Sequence, residues 1–335
     1  MLHTLIAMIE LCMMLVVVMT LTDAPVRTMV PPESSLPDVL PTDRLNERGL
    51  MVRPWRDELR RIPTARNVVT VVGAVAQTFG VMIAAGVVNT WWAWLAAFVW
   101  MGRGHALVNI LAHEAAHRLL FPNRLANDTV GRWVLGYPTL QPFGVYRRSH
   151  FAHHRDEMGP DEPDTDLYRG YPVPRDSWHR KLRRDATGES AYKNIKGLVL
   201  AARKGIPDAV QILAVQAILL GLSVAVQRPV AYLVWIGSWA TLWKVSNRLR
   251  AIAEHGGMER SRDRRRTTHV IRQSWIARLC MVPYNTGWHL AHHVDMGVPW
   301  RNLPRFHHEL VASGWVTPDV EYPSYRAFWR DCSSG

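Results

Sequence analysis

Four stretches of the chain are long, apolar and nearly free of charge, and they fall into two pairs. Residues 68–88 carry no ionisable group, and after Asn89-Thr90 the run 91–111 holds only Arg103 and His105. Residues 206–226, with Asp208 near the start, are joined by Gln227-Arg228 to 229–247, where Lys244 is the one charge. At about 1.5 Å rise per residue each run is about 30 Å long, the hydrocarbon thickness of a bilayer. The pattern predicts four membrane-spanning helices in two hairpins. Trp91, Trp92 and Trp94 crowd the start of the second run, as an aromatic belt at the membrane surface would place them. Arg103 is expected to snorkel or else to border a polar cavity.

The polar segments carry the charge. Of the 40 Lys and Arg, 37 lie before Val68, between the hairpins or after Asn247. Cation-rich loops stay on the cytoplasmic side, so both termini and the middle segment are expected there, in a bacterial plasma membrane. The net charge of +12 is therefore a topology signal. The runs at 180–184 and 260–266 are expected to meet anionic headgroups or an acidic redox partner rather than nucleic acid. The mean hydropathy of −0.08 averages apolar spans with a strongly cationic cap.

Residues 1–66 read as an N-terminal extension. The apolar run 5–21 lacks the basic start of a secretory signal, and residues 1–50 are expected to be disordered or an upstream extension, with Met29 or Met51 as the first residue. Residues 25–41 are a Pro-rich lead-in. The main domain is expected over 67–310 and a tail over 311–335.

Fifteen histidines are far more than ordinary usage, and nine sit in a pattern. His113-Glu-Ala-Ala-His117 closes the second span, His150-Phe-Ala-His153-His154 lies in the middle segment, and His289-Leu-Ala-His292-His293 follows the fourth span, with His255 shortly after that span ends. On a helix, residues at i, i+3 and i+4 share a face, so each group aims imidazoles at one point. This many nitrogens suit two metals, and imidazole serves Zn, Fe, Cu and Ni. Cys12, Cys280 and Cys332 are too scattered for a disulfide framework or a thiolate site. H-E-x-x-H also spells a zinc protease with Glu114 as general base, and a non-catalytic metal-binding membrane protein is a further alternative. The protease leaves both H-x-x-H-H groups without a role, so Glu114 is expected instead to hydrogen-bond a ligating imidazole.

These boxes, together with 104–121 around the first, the acidic 161–166 after the second, 250–255, and 298–304 after the third, resemble the membrane fatty acid desaturases and their hydroxylase relatives. The resemblance covers roughly 66–310. It implies an all-α integral membrane protein with a cytoplasmic helical cap holding a non-haem di-iron site. The ligands it implies are His113, His117, His150, His153, His154, His255, His289, His292 and His293. It also implies O₂ as co-substrate and a fatty-acyl chain, carried on lipid, CoA or carrier protein, as the group desaturated. Hydroxylation or ketolation of an alkyl chain, carotenoid or sterol-like lipid uses the same ligand set. No haem-binding segment and no cysteine cluster is apparent, so a ferredoxin-like carrier with an NAD(P)H reductase is expected to bring electrons. Glu114, His105, Asp164, Glu254 and His307 are candidates for supporting the ligands or touching substrate. His3, His179 and His269 read as solvated.

Overall fold

The computed structural model describes residues 29–38, 42–47 and 49–335; the run 5–21, His3 and Cys12 lie outside them. The regular structure of the described residues is helical apart from one two-residue strand pair and an isolated bridge between Leu45 and Met51.

Helix α1 (Trp55–Leu59) leads into α2 (Thr64–Val88) and α3 (Trp91–Ala116), an antiparallel hairpin. The turn uses Asn89 in the left-handed region, φ 46°, where Asn is tolerated because its side chain bonds locally; Asn89 Oδ1 accepts from Trp94 Nε1 at 3.2 Å. Helix α4 (Arg124–Thr129) runs into a π-helical turn, Val130–Gly136. Helices α5 (Phe143–Arg155), α6 (Thr165–Tyr168), α7 (Arg175–Ala186) and α8 (Glu189–Arg203) form the middle segment. The second hairpin is α9 (Pro207–Ala225) and α10 (Pro229–Ser238).

Three helices, α2, α3 and α9, are long and apolar enough to cross a membrane. Val69, Ile83, Val87, Ile218, Val226 and Leu233 are all more than half exposed, an apolar surface too extensive for water and suited to lipid. The fourth run is not one α-helix: α10 passes through a π-helical turn, Trp239–Trp243, into α11 (Lys244–His255). The extra residue in each π turn rotates the helix beyond it, and Trp239, Trp243 and Lys244 line a cavity with Asn194, Ile195 and Leu198 of α8. The two hairpin tips adjoin, because Arg228 Nε donates to Gly86 O at 2.9 Å.

The C-terminal part contributes β1 (Val270–Ile271), α12 (Trp275–Cys280), α13 (His289–Val294), α14 (Leu303–Ala312), β2 (Glu321–Tyr322) and α15 (Tyr325–Cys332). β1 and β2 pair in parallel, Val270 with Glu321 and Ile271 with Tyr322.

Several expectations are corrected here. Arg103 is held by its neighbours: its Nε donates to Leu279 O at 2.9 Å and its guanidinium bonds Gln77, so it ties α3 to α12 and α2. His269 is buried, not solvated. Its Nε2 donates to Gly256 O at 2.7 Å and its ring packs on Phe328 and Tyr322. His179 is exposed. The arginines at 260–266 face inward as much as outward. Arg260 pairs with Asp156, Arg264 with Glu157, Arg265 with Asp263 and Arg266 with Glu259.

Packing runs through the segments read as extension and tail. Leu45, Met51, Trp55 and Leu59 are buried in one cluster with Leu290, Phe306 and Trp315. Tyr322, Phe328 and Cys332 share another with Ile252 and Ile271. Arg60 and Asp295 pair at 2.7 Å across the first of these interfaces.

Candidate metal centre

Helix α3 continues past its apolar run, and from Gly104 to Ala116 nearly every residue is buried. Its end is held by α5: Arg147 donates from Nε to Ala116 O and from Nη2 to Ala115 O, both at 3.0 Å. These are carbonyls that a helix C-terminus leaves without partners, and a cation there also suits the helix dipole. The clamp sets His113 and His117 against His150 and His154. Gly131 keeps α3 close, since a Cβ there would lie 2.5 Å from Phe143 and 2.9 Å from Ala115.

All nine box and extra-segment histidines converge in two buried groups. His113, His117, His150, His154 and His292 form one; His153, His255, His289 and His293 form the other; within each, the candidate ligand atoms lie within 4.8 Å of one another. In the first, His150 Nε2 is 2.8 Å from His117 Nε2 and 3.1 Å from His154 Nε2. In the second, His289 Nε2 is 3.1 Å from His255 Nε2 and 3.0 Å from His293 Nε2. Two nitrogens at right angles on one metal, each about 2.1 Å from it, are about 3 Å apart.

Protons cannot satisfy this arrangement. His255 Nδ1 donates to Thr267 O at 2.8 Å, and His293 Nδ1 bonds the Glu157 carboxylate. Each ring is then committed to the tautomer whose Nε2 is a bare lone pair. Both lone pairs face His289 Nε2, which has one proton at most to offer. Burial holds His150, His154, His255, His289, His292 and His293 well below the usual imidazole value, so the rings are neutral. Converging lone pairs in a buried site fit a cation, and the donor set fits a pair of metals.

Around the rings stand groups that fix their tautomers. Glu162 bonds His153 Nδ1 and also accepts from the Met158 N–H. Burial lowers His153, but the hydrogen bond and charge of Glu162 outweigh it, and the ring is raised. Glu157 is bound by His293, Arg264 and Thr267 Oγ1, and it lies within reach of His154 as well. Burial pushes Glu157 up despite Arg264. Glu254 Oε1 lies 3.5 Å from His289 Nδ1. Tyr146 stacks on His150, centroids 5.4 Å apart.

The supporting residues differ from those expected. Glu114 accepts from the Trp300 N–H at 3.0 Å, not from an imidazole. Asp164 lines the cavity beside the histidines, while Glu162 is the carboxylate on His153. His105 is packed on Trp235, with Nε2 3.1 Å from Trp235 O. His307 is packed on Trp288, centroids 4.4 Å apart, and belongs to neither metal group. Glu157, Glu162 and Thr267 escaped the sequence reading. The one available signal was the density of acids at 156–166, which does not say which of them folds back.

Helices of bilayer length around a buried centre of imidazoles define a class: histidine-rich, metal-binding membrane proteins. The comparison of sequences narrows it. The profile of the fatty acid desaturase family matches residues 89–327, well over half the chain, and the protein belongs to that family. The chain is also similar to the dihydrorhizobitoxine desaturase of Bradyrhizobium elkanii, 32% identical over 102 residues, which cover 29% of each chain. The match thus spans less than a third of that relative's length.

Proposed function

We propose that this protein is an O₂-dependent di-iron desaturase that removes two hydrogens from neighbouring carbons of an alkyl chain. The observation that carries the reading is the two groups of buried, converging imidazoles. The first iron is assigned to His113, His117, His150, His154 and His292, and the second to His153, His255, His289 and His293. A reduced iron pair supplies O₂ activation strong enough to take hydrogen from an unactivated methylene, which no side-chain acid or base can do.

The chain's own residues do the positioning. Glu157, Glu162 and the Thr267 carbonyl hold the outer ring nitrogens, so that the inner ones keep their lone pairs and fixed directions. Tyr146 and Tyr168 pack against these rings and limit water at the site. The zinc protease is disfavoured because His113 and His117 lie in a five-imidazole group and Glu114 is spent on the Trp300 N–H.

Electrons come from a separate carrier of the ferredoxin type, fed by an NAD(P)H reductase. Among the described residues Cys280 is exposed and Cys332 buried, far from an iron–sulfur ligand set. The family makes a fatty-acyl chain the first substrate to try. We place the fourth run in the membrane with the other three spans, and the centre on the cytoplasmic face.

Elemental analysis and a product assay test the reading. About two iron atoms per purified chain are expected, and one zinc without iron would sink it. In a host of defined lipids, mass spectrometry should show product two mass units lighter. A gain of one oxygen instead would make the protein a hydroxylase.

A further inference from the structure

Helix α12, which leads from β1 towards the third histidine group, carries an apolar face that the described residues leave uncovered. Trp275 is 73% exposed, Ile276 55% and Leu279 39%. Cys280 is exposed as well, whereas Ala277 is buried. At about 100° per residue, Trp275, Leu279, Ile276 and Cys280 fall on one arc of about 140°, with Ala277 beneath it and Arg278 outside it. An apolar face of this kind marks a protein or membrane contact.

One hydrogen bond fixes the level of this face. Arg103 Nε on α3 donates to Leu279 O at 2.9 Å, and the same guanidinium bonds Gln77 of α2 and lies over the Trp100 ring, 5.1 Å from its centroid. Leu279 O belongs to the last turn of α12, whose carbonyls have no partner within the helix. An arginine at membrane depth is held by such carbonyls. Between Arg103 and Leu111, where the apolar run ends, α3 rises about 12 Å. An arginine side chain and one hydrogen bond are together shorter than that, so Leu279 lies inside the level at which the run ends. Val99 and Trp100, on the same face of α3 as Arg103, are exposed. The uncovered face of α12 therefore sits at the edge of an apolar surface that a span presents to lipid.

We propose that α12 lies in the plane of the bilayer, within the leaflet on the histidine side, with Trp275, Ile276, Leu279 and Cys280 among the acyl chains. Amphipathic helices that lie this way bury their apolar face about 5–10 Å into the headgroup and acyl boundary, in agreement with the level set by Arg103. Backbone groups at that depth need partners. Arg103 supplies one at the C-terminal end, and at the other end Ser274 Oγ accepts from the Ala277 N–H at 3.2 Å. Outside the arc, Arg278 turns back over Trp288, 5.9 Å from its centroid. The chain continues from α12 into α13, so the helix bearing His289, His292 and His293 is tethered to the membrane by this anchor. The assignment rests on α3 crossing the membrane and holds whatever reaction the centre performs.

The test is a depth scan of the full-length protein at one chain per nanodisc. A single environment-sensitive fluorophore is attached at Cys280 in a Cys12→Ser background. The same label is placed by Trp275→Cys, Ile276→Cys, Arg278→Cys or Leu279→Cys with Cys280→Ser added, while the buried Cys332 stays. Each protein is read with phosphatidylcholine carrying a nitroxide at an upper acyl carbon and with aqueous iodide. The ratio of nitroxide to iodide quenching is expected to be about twofold or more higher at 275, 276, 279 and 280 than at 278. A ratio no higher at these four positions than at 278 would overturn the proposal. Resistance of the four to both quenchers would also overturn it, because another part of the chain would then cover the face. If a substitution prevents folding, the native Cys280 and the remaining positions decide the outcome. Iron content and product mass are read independently of this scan, so the anchor and the desaturase reading fail separately.

Discussion

At the scale of single residues, each imidazole is useful only if its inner nitrogen is bare and aimed. Spacing exposed eight of the nine rings, because i, i+3, i+4 periodicity on a helix is a local property. Their carboxylate partners were illegible for the opposite reason: Glu157 and Glu162 lie beyond the end of α5, and the turn through Gly159 decides which acid returns to the rings. Glu157→Gln is expected to weaken iron binding about 10–100-fold while leaving the far-ultraviolet dichroism unchanged; metal titration of the purified variant measures it. His292→Ala and His153→Ala each remove a ligand from a different group. Each should lower bound iron from about two atoms to about one and abolish turnover with membrane insertion intact, as read by elemental analysis of membrane-extracted protein. Two irons retained in both variants would refute the ligand assignment.

At the scale of elements, composition was enough to mark α2, α3 and α9, since a helix of apolar residues and bilayer length reads directly from a window of sequence. The π turns were not visible. Nothing in the composition of residues 239–243 sets them apart from the spans around them, and what they change is angular. They turn Trp239, Trp243 and Lys244 towards the cavity that adjoins the centre. Helix α3 shows the same limit: its last three turns are buried on all sides because α5 and the Val130–Gly136 turn close around them. Gly131→Val tests that closure. With a Cβ already 2.5 Å from Phe143, the larger side chain should cost about 1–3 kcal/mol by overpacking and lower the melting temperature in detergent. A variant as stable as the parent would show that α3 is held some other way.

At the scale of the whole molecule, the segments read as extension and tail pack into the cores beside the histidine-bearing helices. Phe328 and Tyr322 pack on His269, two residues from Thr267, whose carbonyl fixes His255. The C-terminal residues thus bear on His255, a proposed metal ligand, through a chain of packed groups. Phe328→Ala should cost about 3–5 kcal/mol and speed iron loss to a chelator, followed by absorbance; unchanged loss would separate the tail from the centre. Topology is tested by reporter fusions: one at Arg228 should report the periplasmic side and one after Gly335 the cytoplasmic side, with the reverse pattern inverting the protein.

The sequence by itself determined the quantities set by short stretches of chain: apolar lengths, the distribution of cations, and the helical spacing of the histidines. These depend on one helix and its solvent, and they carried the reading as far as a family. The tertiary structure decided everything that needs two distant segments to meet. It divided nine histidines into five and four, chose Glu157 and Glu162 over the other acids, and turned the arginines at 260–266 into partners for buried and half-buried carboxylates. Hydrogen bonds act over about 3 Å, whereas the residues they join here stand up to 265 positions apart, so only the folded chain could assign them.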